Sequence, residues 1–349
     1  MNFILTLVIL IVILGVIVFV HEFGHFLAAK KNNVHVYEFA IGMGPKIFSF
    51  KRKNDPTLYT LRLLPLGGFN ALASTSEGAV DAKEDEILEN KSIWQRFVVL
   101  FMGIIFNFIL AIVLLFFNGV IYGSPVTDPY VGKVQVDSPA YKGGLMTDDL
   151  ILKINGKSVS SFDDVLLETK FGETKSVYEF TVVRDGEKLT LNIKPNVTKD
   201  EDGNDVREFG FGTSAKREKG FVNAVKYAFT STYKNSLSVF KILGKLLTGK
   251  IGADNLSGPI GVFSVIDNIK SSGMESLIYL TAYLSINVAI INFIPIPVFD
   301  GGRILLLLIE KIKGKKLNPK VETTINNIGA ILLIALMLYV TLNDILKIF

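Results

Sequence analysis

Five consecutive residues, His21-Glu22-Phe23-Gly24-His25, have the types and spacing that metal-assisted hydrolysis needs. On a helix, residues four apart lie one above the other, about 5–6 Å between β-carbons. Two imidazoles so placed can grip one Zn2+ ion, and the glutamate between them can act as general base on a water at that metal. Two of the three histidines in the chain are spent on this motif. A catalytic zinc takes three protein ligands and keeps one position open, so a third ligand has to come from elsewhere. The chain has no cysteine, which excludes thiolate ligands, disulfides and cysteine nucleophiles. His35 lies in a polar stretch and is expected to be solvated. A carboxylate near a membrane span is the better source, and Asp300 in Asn292-Phe-Ile-Pro-Ile-Pro-Val-Phe-Asp300-Gly-Gly302 supplies one. Pro295 and Pro297 break any helix there. Non-helical backbone at membrane depth survives only where it lines protein or a wet cavity. The other reading of Asp300 is an N-cap for the helix starting near Arg303.

The elements that must position these residues are membrane helices. The 349 residues have a mean hydropathy of +0.41 and are 49% hydrophobic and 20% charged, with the apolar residues in long blocks. Spans are expected at about 3–28, 97–122, 277–296 and 328–345. The first reads as a span rather than a cleaved leader, since no basic residue precedes it and no small-residue cleavage site follows. Lys30, Lys31 and Arg96 flank the connection between spans one and two. Arg303, Lys311, Lys313, Lys315, Lys316 and Lys320 fill the one between spans three and four. By the positive-inside rule both connections are cytoplasmic, and the large polar middle of the chain faces outward. A net charge of +4 is too small and scattered for nucleic acid.

That middle region reads as short strands and turns. Residues 134–159, with a Ser-Pro-Ala start and an apolar run into the turn Asn155-Gly156, resemble a bacterial PDZ domain. Its boundaries are expected at 123–200, with Asp148-Asp149 in place of the usual Gly-Asp. Gly132 is the candidate carboxylate-binding loop. The domain either adds a peptide strand to a sheet edge or acts only as a steric filter. After a charged loop at 199–204 come the rest of residues 201–273. They continue as amphipathic helices carrying Lys226, Lys234, Lys241 and Lys245, which lie on the outer membrane face or pack against the domain.

Taken together, HEFGH in the first span and NFIPIPVFDGG after the third resemble the two signatures of the site-2 protease family, the intramembrane zinc metalloproteases of peptidase family M50. Gly42-Met-Gly-Pro45, Leu64-Pro-Leu-Gly-Gly-Phe69 and Ser257-Gly-Pro-Ile260 add to the likeness, which is nearest to the RseP/RasP-like branch with one PDZ domain. The resemblance implies a polytopic α-helical membrane protein of four transmembrane helices, with a membrane-associated β-hairpin region at about 41–72 and an inserted α+β PDZ domain. The membrane core would comprise 1–122 and 274–349. It implies one zinc on His21, His25 and Asp300, with Glu22 as base. Asn292 would contact the substrate backbone or the developing oxyanion, and the hairpin, with Gly67 and Gly68, would hold an unwound substrate. An ordinary turn is the other reading of the two glycines. Implied partners are single-pass membrane proteins already shortened on the outer side, such as anti-sigma factors or remnant signal peptides, in a bacterial cell membrane. One departure is Gly103-Ile104, where the family commonly has Pro after the Gly. Asn107 either bonds near the site or serves as helix-packing glue. A catalytically idle adaptor or a metal transporter are the rival classes; the first would tolerate loss of Glu22 or Asp300, and the second would spread ionisable groups across the bilayer.

Overall fold

In hydrocarbon, backbone N–H and C=O groups are satisfied only within a helix or a closed barrel, and each of the four apolar blocks folds as one helix. A computed structural model describes residues 2–74, 81–199, 205–252, 256 and 258–346. Ser257 and residues 200–204 of the charged loop lie outside them. The chain divides into two units, Met1–Leu114 with Ala253–Phe349, and Leu115–Gly252.

The first unit opens with α1 (Asn2–Lys31), followed by β1 (Val36–Lys51) and β2 (Leu58–Leu72), and then α2 (Ile93–Tyr122) begins. Helix α2 starts four residues before the expected 97. Ser92 and Gln95 form a reciprocal cap, with Gln95 N–H on Ser92 Oγ at 3.3 Å and Ser92 N–H on Gln95 Oε1 at 3.1 Å, the capping-box arrangement.

The two strands bend on themselves. Residues 38–41 pair on one side with 68–71 and on the other with 58–61, while 58–62 also pair with 46–51. The expected hairpin is therefore a curled sheet of four arms in the order 46–51, 58–62, 38–41, 68–72. Gly42-Met-Gly-Pro45 and Leu64-Pro-Leu-Gly67 are its bends. Aromatic packing ties the sheet to α1, with the Phe39 ring 4.9 Å from that of Phe26.

The second unit is built on strands and three helices that lie wholly within it. In chain order it holds β3 (Ser124–Pro125), β4 (Val131–Val134), α3 (Pro139–Lys142), β5 (Leu150–Ile154), β6 (Lys157–Ser158), α4 (Phe162–Phe171), β7 (Tyr178–Arg184) and β8 (Glu187–Ile193). After these come β9 (Asn196–Lys199), β10 (Asp205–Glu208), β11 (Phe211–Thr213), β12 (Arg217–Glu218) and α5 (Phe221–Leu247). A four-stranded sheet runs β6-β5-β7-β8. Its hairpins turn at Asn155-Gly156 and Asp185-Gly186, all four with positive φ, as two-residue turns of this hand require. Asp148 also takes positive φ, and Asp149 is fully buried in a two-pronged ion pair with Arg184 at 2.7 Å.

Residue 200 does not bound this domain. Strand β11 pairs with β4, and Phe209 is buried with Tyr178 and Phe180 in one core. Strand β12 closes the base by pairing with β3. Helix α5 is tied to the β3–β4 connection and to α4 by ion pairs, with Lys234, Lys241 and Lys245 reaching Asp128, Asp164 and Glu168 at 2.7, 2.6 and 3.1 Å. Burial pushes the Asp164 carboxyl up, but Lys241 and the Ser160 hydrogen bonds outweigh it and hold the group below its usual range.

Back in the first unit follow α6 (Pro259–Ile269), α7 (Met274–Phe293), α8 (Asp300–Lys313) and α9 (Pro319–Leu346). Helix α6 packs on α1 through Ile266, which is fully buried among Leu10, Ile13 and Ile17. Asp344 of α9 accepts from the N–H groups of Gly258 and Gly261 at 2.9 and 2.8 Å, satisfying donors at its N-terminus. Helix α7 stops at Phe293 rather than 296, because Pro295 and Pro297 end it. Helices α1, α2, α7 and α9 are each long and apolar enough to cross a membrane.

Arg96 of α2 and Glu310 of α8 form a buried ion pair at 2.6 Å, and Glu310 also accepts from Leu317 N–H at 2.8 Å. Removing one partner strands a buried charge, whereas replacing both with apolar residues does not. Arg96→Met should therefore destabilise the protein by about 3–5 kcal/mol. The double variant Arg96→Met/Glu310→Leu should lie close to wild type in a detergent unfolding titration.

Candidate metal centre

Helix α1 carries His21 and His25 on one face, one turn apart. Their Nε2 atoms are 3.2 Å apart, and Asp300 Oδ2 lies 3.1 Å from the first and 3.2 Å from the second. The three donors form a nearly equilateral triangle, the spacing of ligands around one four-coordinate ion with bonds of about 2.0–2.2 Å. Both histidines are buried, and the Asp300 side chain is 14% exposed. Within the described residues these are the group of His and acidic side chains close enough to share a metal.

Protonation supports the fit. His25 Nδ1 lies 2.8 Å from the Val99 carbonyl, so that nitrogen carries the proton and donates it. The Nε2 lone pair is then free and points at the triangle, the usual arrangement around a metal-ligating histidine. Asp300 Oδ2 is buried without a hydrogen-bond donor. The His25 lone pair, His21 Nε2 and a carboxylate oxygen that has no donor converge on one point, a donor set that fits a cation.

Asp300 does not cap its helix. It is the first residue of α8, and that helix has no side-chain cap; the carboxylate turns to the imidazoles instead. The loop that delivers it contains Val298 at φ 86°, a conformation that is strained for a β-branched residue. Such strain persists where the surroundings over-determine the backbone.

Helix α2 supplies the floor. A β-carbon on Gly103 would stand within 3.0 Å of ring atoms of both His25 and His21, and one on Gly24 within 3.0 Å of the Met102 carbonyl. One turn after Gly103, the Asn107 amide lies 3.3 Å from His21 Nδ1, the ring nitrogen that faces away from the triangle. Ser285 of α7 donates to the Asn107 carbonyl at 2.9 Å. Asn107 therefore sits beside the site, and Gly103 is a site residue that the apolar pattern of α2 conceals.

The remaining expected residues fall in several places. Glu22 lies against the 68–72 arm, where a β-carbon on Gly68 would be 3.5 Å from its Cγ. Gly67, at φ +89°, marks the bend before that arm. Asn292 occupies the last turn of α7, half-buried and with no side-chain hydrogen bond among the described residues. Gly132 lies within strand β4 and not in a loop, pressed so closely by β11 that a β-carbon would clash with the Thr213 backbone. His35 is not solvated: its ring lies 3.6 Å from Glu86 and packs on Tyr37, away from the triangle. Asn70, absent from the sequence reading, donates to the Glu22 carboxylate.

Gly103→Ala should push both rings off the triangle. The expected outcome is zinc affinity weakened by at least about tenfold, measured by metal analysis after dialysis against a graded chelator, with helix content by circular dichroism unchanged.

Comparison with known proteins agrees with this centre. The model of peptidase family M50 matches residues 9–336. The chain is 34% identical to the "Regulator of sigma-W protease RasP" of Bacillus subtilis, covering 99% of this chain and all of that protein. It is 33% identical to the "Zinc metalloprotease RasP" of Bacillus licheniformis, over 99% of each. A match across nearly the full length, with the His-His-Asp triangle assembled in a membrane-spanning helix bundle, makes this chain a zinc metalloprotease of peptidase family M50.

Proposed function

We propose that the protein hydrolyses peptide bonds inside the transmembrane segments of single-pass membrane proteins, with Glu22 as the general base. The observation that carries this reading is the juxtaposition of Glu22 with the 68–72 arm, an outer arm of its sheet. A segment leaving a helix in the membrane exposes backbone groups that must find partners. An edge strand offers them as a ladder, and Gly68 leaves room beside the base.

His21, His25 and Asp300 would hold the zinc, which would supply a Lewis acid for the scissile carbonyl and for the attacking water. Glu22 takes a proton from that water and returns it to the leaving amine, so one carboxylate serves first as base and then as acid. Asn292 is assigned to the substrate backbone or the developing oxyanion, since its amide is uncommitted. Gly67 and Gly68 are assigned to the strand that receives the substrate.

Substrates already shortened on the outer side, such as anti-sigma factors or remnant signal peptides, suit this arrangement. The lysine-rich connections favour an orientation with both inter-span loops cytoplasmic and the inserted domain outside. That domain then acts as a size gate. The excision that tests the gate is 126–216, because β3 and β12 bring Pro125 beside Arg217 and a shorter cut would strand β11.

Glu22→Gln should retain one zinc per chain and lose cleavage of a truncated single-span reporter by at least about a hundredfold. Cleavage that survives the substitution would overturn the base assignment. Separately, a reporter with a folded outer domain should be cut slowly by the full chain and at close to the truncated reporter's rate after excision of 126–216. Equal rates in both proteins would sink the gate.

A further inference from the structure

Glu22 is the one group in the centre that has to move protons, and its orientation depends on a residue outside both signatures. Asn70 Nδ2 donates to Glu22 Oε2 at 2.7 Å and to the Glu22 backbone carbonyl at 2.8 Å. Both contacts need the NH2 side of the amide, which fixes which way Asn70 points. Its Oδ1 is buried and has no donor. An unmet buried acceptor weakens the fold, and an apolar residue of the same size would avoid it. A strand pinned by Phe39 against the aromatic cluster of α1 does not need Asn70 for its packing: Phe39 is directly opposite it in the register.

We propose that Asn70 is a positioning residue for the base. Its amide holds Glu22 Oε2, so that Oε1, which has no hydrogen bond among the described residues, is the oxygen presented to the reacting water. The double attachment, to carboxylate and backbone of the same residue, removes the swing of the glutamate about its last torsions. Proton transfer depends on a base held at hydrogen-bonding distance in a narrow geometry. Asn70 also lines a cavity of about 440 Å³ with Arg96, Arg303, Glu310 and Asn326, so it stands between the base and a polar space. The inference rests on Glu22 being the base, and it goes beyond that reading by naming what aims it.

The test uses the full chain in detergent with a dye-labelled single-span reporter, comparing wild type, Glu22→Gln, Asn70→Leu and Asn70→Gln. Asn70→Leu should lower kcat by about tenfold or more, leave KM within about twofold, keep zinc content unchanged, and unfold at an equal or higher temperature. Asn70→Gln, which keeps an amide donor on a longer arm, should recover part of the lost kcat. A structural role alone predicts the opposite pattern, with stability and kcat falling together and no recovery by Gln. An Asn70→Leu protein with wild-type kcat, beside an inactive Glu22→Gln, would overturn the positioning role and leave the base in place. Loss of zinc or a KM rise matching the fall in kcat would overturn it too. Activity in Glu22→Gln would remove the base assignment and this inference with it.

Discussion

The contact on which the rest of the centre depends is the close approach of α1 to α2 at Gly24 and Gly103. Without side chains at those two points, the backbone of α2 comes near enough for the Val99 carbonyl to accept a hydrogen bond from His25 Nδ1 and for Asn107 to reach His21. Small residues allow such approach between membrane helices, where no hydrophobic force drives association. The same helix carries Leu100 and Ile104 into contact with Ala289, Ile304 and Leu307 of the next elements. Helix α2 therefore aims the two imidazoles on one side and seats the helix that carries the aspartate on the other.

The third ligand arrives by a different device. A continuous helix could not stop at Phe293, turn, and present a carboxylate beside α1. Pro295 and Pro297 end it, Val298 turns the chain through a strained conformation, and Asp300 starts a new helix. Gly301 and Gly302 let that helix begin directly over the carbonyls of Phe293, Ile294 and Ile296. The ion pair of Arg96 with Glu310 and the Leu317 hydrogen bond then hold α8 in register with α2. Strain at one residue is offset by packing and by a buried ion pair three turns away.

Legibility followed the range over which each residue's meaning is set. His21 and His25 were readable because their relation is a helical repeat, complete within five residues. Asp300 was readable as a candidate because two prolines and an apolar flank mark its loop, but choosing ligand over cap needed the position of α1. The Asn-Gly and Asp-Gly turns of the second unit were equally local. Gly103 and Asn70 were not readable in the same way. A glycine in an apolar helix and an asparagine in a strand look the same whatever lies opposite them, and only tertiary contact shows the imidazole rings or the Glu22 carboxylate there. The end of the inserted domain was misplaced for a related reason, since β11 belongs with β4, some eighty residues earlier in the chain, and pairing at that range leaves no local mark. His35 was misread because polar neighbours suggested water where Glu86 and Tyr37 stand.

The curled sheet shows why a soluble-looking element belongs in this membrane core. Its inner arms are satisfied on both edges, while the 68–72 arm offers one edge and faces Glu22 through Gly68 and Asn70. An open edge in a water-soluble protein invites aggregation. Beside a lipid phase the constraint works differently, because a peptide that unwinds there has no water to bond and an unpaired edge becomes the favoured partner. Under the proposed function, unwinding a substrate helix and presenting its carbonyl to the metal would be the same event, with the cost of breaking helical hydrogen bonds offset by the ladder formed. Selection of the substrate would then be coupled to its chemistry. A segment rich in helix-weakening residues loses less on unwinding and gains the same ladder, so specificity can reside in helix stability as much as in side-chain pockets.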